Sequence, residues 1–164
     1  MTLAPALTID LADYADPRDA ADVVALLDAY ARDPMGGGEP LRDDVKARLA
    51  DDLAANPQAF SLLARLDDKA VGLANCFMGY STFAAAPLVN IHDLAVLPGH
   101  RGAGIGKALM AAIEAEALKR GACKVTLEVL SGNPARHLYA ACGYGDYQLD
   151  PATGHALFWQ KRLT

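Results

Sequence analysis

The stretch that most constrains how this chain can fold is a strand-like run that leads through a glycine-rich turn into a helix-forming segment. Residues 90–96 are mostly apolar and strand-like, and the run stops at Pro98-Gly99. The turn that follows carries Arg101 and has glycines at positions 102, 104 and 106, and residues 107–119 are rich in helix formers. A strand, a glycine turn and a helix in succession point free backbone N–H groups at one spot, at the positive end of the helix dipole. The segment therefore predicts an anion site, most simply for a pyrophosphate.

Two common phosphate-binding motifs do not fit this turn. A P-loop requires Gly-Lys followed by Ser or Thr, whereas Gly106-Lys107 precedes Ala108. The dinucleotide motif G-x-G-x-x-G requires a glycine spacing that positions 102, 104 and 106 do not have. An ordinary strand-to-helix turn is the remaining alternative, although such a turn needs fewer glycines and no arginine.

The pattern that does fit is R-x-x-G-x-G, which Arg101, Gly104 and Gly106 fill directly after a strand. This segment resembles the acyl-CoA pyrophosphate loop of the GNAT superfamily of N-acyltransferases. A glycine in such a loop lets the backbone approach a ligand without an intervening Cβ.

A second motif supports the resemblance independently. The GNAT pattern N-x-x-A-x-x-L-Y-x-x-x-G-F/Y is similar to residues 133–144, with one departure at Arg136, where the pattern has alanine. Asn133 suits the N-cap of a short helix and Gly143 suits its end. The two motifs stand in the expected order, and the resemblance covers about residues 60–163.

The resemblance implies an α/β (α+β) fold, the GNAT fold, with a mixed and largely antiparallel sheet of six to seven strands, about four helices and a splayed central strand pair. Periodicity and punctuation agree with one domain over residues 1–164. They predict helices at 17–32, 42–55, 104–120 and 134–142, and strands at 3–11, 60–66, 70–80, up to 96, 123–130, 144–149 and 155–161. The last two strands would form a closing hairpin.

The resemblance also implies the residues that bind acetyl-CoA as co-substrate. Backbone groups of the splayed strand and of the glycine turn would contact it, together with one residue of the second motif. These predicted residues are Leu94, Ala95, Val96, Arg101, Gly102, Ala103, Gly104, Ile105, Gly106 and Asn133.

Catalysis requires a proton donor for the leaving thiolate and a base for the amine. The resemblance assigns the donor to Tyr139, which stands at the expected offset from Asn133. His92 is the candidate base, since a histidine titrates near neutral pH. Strand alternation predicts that His92 shares a face with Leu94 and that Asp93 faces the other side. Asp93 and a water molecule remain alternative bases.

The acceptor site is predicted with less sequence support. Asp33 and Glu39 flank a loop of three glycines that favours flexibility, and with Tyr80 and Asp93 they are the candidate acceptor-binding residues. The resemblance is nearest to diamine-type enzymes and implies a primary amine of a small molecule as acceptor. The alternatives are a peptide or protein N-acetyltransferase and a non-catalytic acyl-CoA sensor.

Composition narrows the remaining classes. The chain is 52% hydrophobic and 21% charged, as globular proteins are, and its net charge of −5 argues against nucleic-acid binding. It lacks a membrane-spanning run, a signal peptide, a zinc-spaced Cys/His cluster and a G-x-S-x-G hydrolase motif. We therefore expect a cytoplasmic protein with no metal and no membrane partner, and the resemblance implies a homodimer. Its three cysteines lie in apolar segments and are expected to be buried free thiols.

Overall fold

The computed structural model describes residues 6–163. It divides into a larger unit that ends at Leu127 and a smaller unit that begins at Glu128. The strands are β1 (Leu7–Leu11), β2 (Ala59–Leu66), β3 (Lys69–Ser81), β4 (Ala86–Val96) and β5 (Val125–Leu127), and the helices are α1 (Pro17–Arg32), α2 (Asp43–Ala55), α3 (Ile105–Lys119) and α4 (Ala135–Ala141). These elements confirm the predicted ones up to residue 142 to within a few residues at most ends. Residues 3–5 of the predicted first strand lie outside the described part.

The five described strands form one sheet in the order β1-β2-β3-β4-β5. The first four pair antiparallel with their neighbours, and β4 pairs parallel with β5. That last ladder joins Val89–Ile91 to Val125–Leu127, and residues 92–96 of β4 extend beyond it. The mixed, largely antiparallel sheet agrees with the predicted fold class.

Helices cover both faces of the sheet in the larger unit. On one face, buried apolar residues of α1 and α2 pack with alternate residues of the central strands; they are Val23, Leu26, Leu53, Leu63 and Leu73. On the other face, Leu109 of α3 lies against Gly72, whose added Cβ would be 3.1 Å from Leu109 Cδ1. Since Gly72 precedes Leu73 in β3, the two helical layers lie on opposite sides.

A buried ion pair fixes α1 on the sheet. Arg65 of β2 is 8% exposed and donates to Asp19 Oδ1 at 2.7 Å and to Asp22 Oδ2 at 2.8 Å. Removing either carboxylate would leave part of a buried charge without its partner, which is costly. The pair therefore helps to set the position of α1 and of the loop that follows it.

The predicted closing hairpin is wrong. Residues 144–163 contain no strand, and the regular element described there is a 3₁₀ turn at Pro151–Thr153. Phe158 and Trp159 are 78% and 82% exposed. Alternating apolar residues predict a strand only where a partner strand and a covering layer are present. The sheet described here therefore has five strands instead of six to seven.

No helix among residues 6–163 has both the length and the apolar character needed to span a membrane.

Candidate active site

The glycine turn before α3 has an open, left-handed backbone. Gly99, Gly102 and Gly104 have φ angles of +87°, +79° and +81°. Gly104 is the N-cap of α3, and a Cβ built on any of the three would have no atom within 4 Å. Only glycine adopts this conformation without strain, and its missing side chain leaves room for a ligand.

The same turn presents unused hydrogen-bond donors. Within residues 6–163, no hydrogen bond is found for the backbone N–H groups of residues 102–106. They lie at the start of a 15-residue helix, where the dipole favours negative charge. The turn therefore has the open backbone on which the predicted pyrophosphate site depends.

Arg101 lies against a predicted acceptor residue. Its Nε donates to the carbonyl of Val96 at 2.9 Å, and its Nη2 donates to Asp33 Oδ2 at 3.0 Å. The backbone N–H of Met35 and the guanidinium of Arg101 lower the pKa of Asp33. The ion pair thus joins the loop after α1 to the glycine turn.

The glycines of the loop after α1 form a tight turn. The N–H groups of Gly36 and Gly38 both donate to the carbonyl of Asp33, at 2.8 and 3.0 Å. A Cβ on Gly36 would be 2.0 Å from the carbonyl oxygen of Tyr30, so no other residue fits there without a shift of the backbone. The loop is therefore more structured than its glycine content predicts.

A β-bulge in β4 changes the predicted orientation of His92. Cys76 pairs with Ile91 and Asn75 pairs with Asp93, so His92 is an extra residue in β4. The His92 ring packs on Phe77, with 4.6 Å between centroids, while Asp93 accepts from Asn75. Since Asn75 and Phe77 are two residues apart on β3, they share a face.

The prediction of opposite faces for His92 and Asp93 is therefore wrong. A bulge places two residues opposite one, which interrupts the alternation that the prediction assumed. Leu94 pairs with Ala74 beyond the bulge and alternates with Asp93. His92 consequently lies on the face opposite to Leu94.

Two side chains fix the tautomer of His92. Thr126 Oγ1 donates to the Val89 carbonyl at 3.5 Å, and Asn90 Nδ2 donates to Thr126 Oγ1 at 3.1 Å. The remaining amide oxygen, Asn90 Oδ1, lies 2.6 Å from His92 Nδ1 and must accept from it. Neutral His92 therefore carries its proton on Nδ1, and Nε2 has the lone pair that a base requires.

A second polar chain ends on Asp93. Asn75 Nδ2 donates to Asp93 Oδ2 at 3.0 Å, Ser61 Oγ donates to Asn75 Oδ1 at 2.6 Å, and Tyr14 Oη lies 2.7 Å from Ser61 Oγ. Burial raises the pKa of Asp93, against the hydrogen bond from Asn75 and the nearby His92, which lower it.

Two predicted acceptor residues lie around one tyrosine. Burial raises the pKa of Tyr30, and the charges of Asp93 and Asp33 raise it further. The structure thus brings these two carboxylates to one region of α1 and β4. Within the described residues, no hydrogen bond or ion pair links Glu39 or Tyr80 to either carboxylate; both are exposed, Tyr80 to 61%.

The smaller unit contains the second motif. Asn133 Oδ1 accepts from the N–H of Ala135 at 2.9 Å, and the N-cap of α4 is Pro134, one residue after the predicted position. Gly143 has φ +88°, its N–H donates to Ala140, and the N–H of Tyr144 donates to the carbonyl of Tyr139 at 2.9 Å. This Schellman motif ends the helix at the predicted glycine. Tyr139 is half-buried on α4.

The cysteines are free, but they are not all buried. Cys76 is buried, Cys142 is half-buried and Cys123 is exposed. Burial, with the charge of Asp93, raises the pKa of Cys76 to about 12, so its thiol is inert at neutral pH. The prediction of buried thiols is confirmed for Cys76 and wrong for Cys123.

Sequence reasoning missed the side chains that support His92 and Asp93: Tyr14, Ser61, Asn75, Asn90 and Thr126. A signal was present for two of them. Ser61 and Asn75 are polar residues within apolar strands, where a buried polar side chain needs a partner. Their partners lie on other strands, and periodicity does not identify them.

A family comparison decides the identity of the fold. The sequence profile of the Acetyltransferase (GNAT) family matches residues 23–144, which is most of the chain and spans both units. The chain belongs to the GNAT family. The family that the two motifs predicted is therefore confirmed.

One similar protein is the streptothricin acetyltransferase of Streptomyces lavendulae. It is 45% identical over 65 residues, which are 39% of this chain and 34% of that protein. The aligned part thus spans about a third of the length of the relative.

Solved structures agree with the GNAT fold. A ribosomal-protein-alanine N-acetyltransferase from Brucella melitensis is 25% identical with a TM-score of 0.67, covering 88% of this chain and 98% of that one. An aminoglycoside N-acetyltransferase in complex with CoA is 19% identical with a TM-score of 0.76, covering 99% of each chain. At this identity the second likeness shows the fold alone.

Proposed function

We propose that this GNAT enzyme transfers the acetyl group of acetyl-CoA to a primary amine of a small cationic molecule, by direct attack in a ternary complex. The observation that carries the proposal is the pairing of two features in the larger unit. One is the open glycine turn at the start of α3, and the other is the pair of carboxylates, Asp33 and Asp93, whose charges both act on Tyr30.

The glycine turn is the proposed cofactor site. The free N–H groups of residues 102–106 would hold the pyrophosphate, and backbone groups of Leu94–Val96 would hold the pantetheine arm. When a phosphate binds, Arg101 would either exchange Asp33 for the phosphate or contact both anions, since a guanidinium binds carboxylates and phosphates well. We keep Asn133 as a proposed cofactor contact through its backbone, because its side chain accepts from the N–H of Ala135. When bound, acetyl-CoA supplies the activated acetyl group.

Proton transfer is assigned to two residues. His92 Nε2 would take the amine proton, directly or through water, because the proton of Nδ1 is committed to Asn90. Tyr139 would donate a hydrogen bond to the departing sulfur. A phenol is a weaker acid than a thiol, so the expected gain comes mainly from stabilising the developing charge.

The acceptor class follows from charge. Asp33 and Asp93 favour a cation, and the net charge of −5 attracts one. The named acceptors of the relatives, streptothricin and aminoglycosides, are small molecules. The pairing of Arg101 with Asp33 makes Asp93 the stronger candidate for the ammonium group. Glu39 and Tyr80 remain proposed outer contacts.

One relative favours a second candidate function. The 25% identical ribosomal-protein-alanine N-acetyltransferase covers most of this chain, so a peptide amino terminus is the alternative acceptor. A non-catalytic acyl-CoA sensor is disfavoured because both proposed proton-transfer positions hold titratable residues.

The state of the protein in the cell is also proposed from the resemblance. We infer that the two units form one domain and that the enzyme is a cytoplasmic homodimer without nucleic-acid or membrane partners. Light scattering on the purified protein tests the dimer. The molar mass should be that of two chains and should not depend on protein concentration.

An acceptor screen tests the proposed function. Free thiol release from acetyl-CoA is followed with diamines and polyamines, aminoglycosides, streptothricin, amino acids and peptides with an N-terminal alanine. We expect the highest kcat/KM with a small polycationic amine. A preference for the peptides would assign the second function, and binding of acetyl-CoA without turnover of any acceptor would assign the sensor.

A further inference from the structure

A chain of hydrogen bonds crosses the sheet and ends on one oxygen of Asp93. It runs from Tyr14, in the segment between β1 and α1, through Ser61 on β2 and Asn75 on β3 to Asp93 on β4. The three links are 2.7, 2.6 and 3.0 Å between heavy atoms. Each link joins neighbouring elements on the face that α1 and α2 cover.

The chain has a single direction. Asn75 Oδ1 can only accept a hydrogen bond, so the Ser61 hydroxyl donates to it. Tyr14 must then donate to Ser61, and the amide group of Asn75 is left to donate to Asp93. Every donor therefore points toward the carboxylate, and such aligned bonds polarise and strengthen one another.

The hydrogen-bond chain to Asp93 is buried, and burying its polar groups costs free energy that the packing of the core alone does not require. Ser61 and Asn75 are 1% and 3% exposed, among apolar neighbours such as Leu63 and Leu73. Apolar residues at both positions would pack in this core and would need no hydrogen-bond partners. An amide does not readily relay protons, so the chain orients the carboxylate and does not conduct.

The second oxygen of Asp93 is available. Within the described part of the chain, no hydrogen bond to Asp93 Oδ1 is found, and this atom is not among the buried polar atoms without a partner. The titratable groups that interact electrostatically with Asp93 are Tyr30 from α1, Cys76 on the opposite face of β3, and His92 from β4 itself. None of them forms a hydrogen bond with the carboxylate.

We propose that Tyr14, Ser61 and Asn75 are positioning residues that hold Asp93 Oδ2, so that Oδ1 receives the ammonium group of the acceptor beside His92. This inference rests on the proposed function. According to this proposal, the preference for a cationic acceptor depends on a hydrogen-bond chain that begins outside the site, between β1 and α1.

Kinetics with the best cationic acceptor test the proposal. Asn75→Leu keeps the branched shape and removes the donor, so kcat/KM should fall about tenfold, mainly through KM, as for the loss of a bond to a charged group. Tyr14→Phe keeps the ring and should cause a smaller loss, about two- to threefold. In both variants the acid limb of kcat/KM should move to higher pH, because the hydrogen bond favours the ionised form.

The matched control is Leu73→Val, which perturbs the same core layer without touching the chain. It should lower the melting temperature and leave the acid limb and KM unchanged. In an Asp93→Asn background, Asn75→Leu should cause no further loss of kcat/KM, since a chain that acts through Asp93 has nothing left to position. Additive losses, or an equal shift of the acid limb in Leu73→Val, would show a structural role and overturn the proposal.

A titration that needs no acceptor separates this inference from the proposed function. The carboxyl carbon of Asp93, assigned by comparison with Asp93→Asn, is followed by NMR in the ligand-free protein. Its midpoint should move to higher pH in Asn75→Leu and, less, in Tyr14→Phe, but not in Leu73→Val. Unmoved midpoints in folded Asn75→Leu and Tyr14→Phe would overturn the positioning role, whatever the acceptor screen finds.

Discussion

At the scale of single residues, Asp93 is held in a state that costs the fold free energy. Burial raises its pKa above the ordinary value of 3.8. Between those two values the folded protein binds more protons at this site than the unfolded chain does. Stability therefore falls as the pH rises through that interval.

We expect Asp93→Asn to be more stable than the wild type at neutral pH and much less active. The amide keeps an oxygen for Asn75 and removes the buried charge, so the melting temperature should rise by about 2–4 °C for each kcal/mol gained. The gain should shrink as the pH falls toward about 4, where the folded protein is protonated at this site and the unfolded chain begins to be. Thermal melts from pH 4 to 8 measure it, and a variant less stable than the wild type at pH 7 would contradict this account.

His92 permits a second prediction at the same scale. His92→Gln keeps a polar side chain beside Asn90 but cannot titrate, so the limb of kcat/KM near neutral pH should move or vanish while acetyl-CoA affinity persists. Two acceptors with different amine pKa values are needed, because the ionisation of the amine imitates such a limb. A limb that follows the acceptor and survives in the variant would leave Asp93 or water as the base.

At the scale of elements, a glycine flanks each end of α3, and only the one at the start lies in the proposed acetyl-CoA site. Gly104 and Gly121 flank this helix with φ angles of +81° and +72°, and an added Cβ meets nothing at either site. Gly104→Ala and Gly121→Ala should each lose about 1–2 kcal/mol from left-handed strain. Only Gly104→Ala should also weaken acetyl-CoA binding, by about tenfold, because its methyl group enters the proposed site. Calorimetry with equal affinities for both variants would refute the assignment of the turn.

Local signals were sufficient for the helices. Asp16 accepts from the N–H of Arg18 at the start of α1, Pro17 follows it, and Gly143 ends α4. Each is a short-range effect of one side chain on the adjacent backbone, which sequence reasoning captures. The glycine turn was predictable for the same reason, since three glycines and an arginine constrain one short segment.

Long-range pairing was not predictable in this way. The bulge at His92 depends on the register between β3 and β4, and one extra residue reversed the predicted face of a candidate base. The three links of the hydrogen-bond chain to Asp93 join residues that are 47, 14 and 18 positions apart in the sequence. The closing hairpin failed because alternation alone does not supply a partner strand.

At the scale of the whole molecule, the two motifs of the family lie in different units. The family match from residue 23 to 144 crosses the division at Leu127, and the second motif lies entirely in the smaller unit. The glycine turn, His92 and Asp93 lie in the larger one. We therefore expect turnover to require a residue of the smaller unit that is needed neither for binding acetyl-CoA nor for recognising the charge of the acceptor.

Tyr139 is that residue, and Tyr139→Phe tests it. The variant keeps the ring on α4 and removes the hydroxyl, so kcat should fall by about 10²-fold, as for loss of a general acid, with little change in acetyl-CoA affinity. Tyr147→Phe is the matched control, because it removes an exposed hydroxyl from the same unit and should leave kcat unchanged. Rates are measured where chemistry limits turnover, which solvent isotope and viscosity effects establish. If kcat is unaltered under those conditions, Tyr139 serves packing alone and the departing sulfur takes its proton from elsewhere.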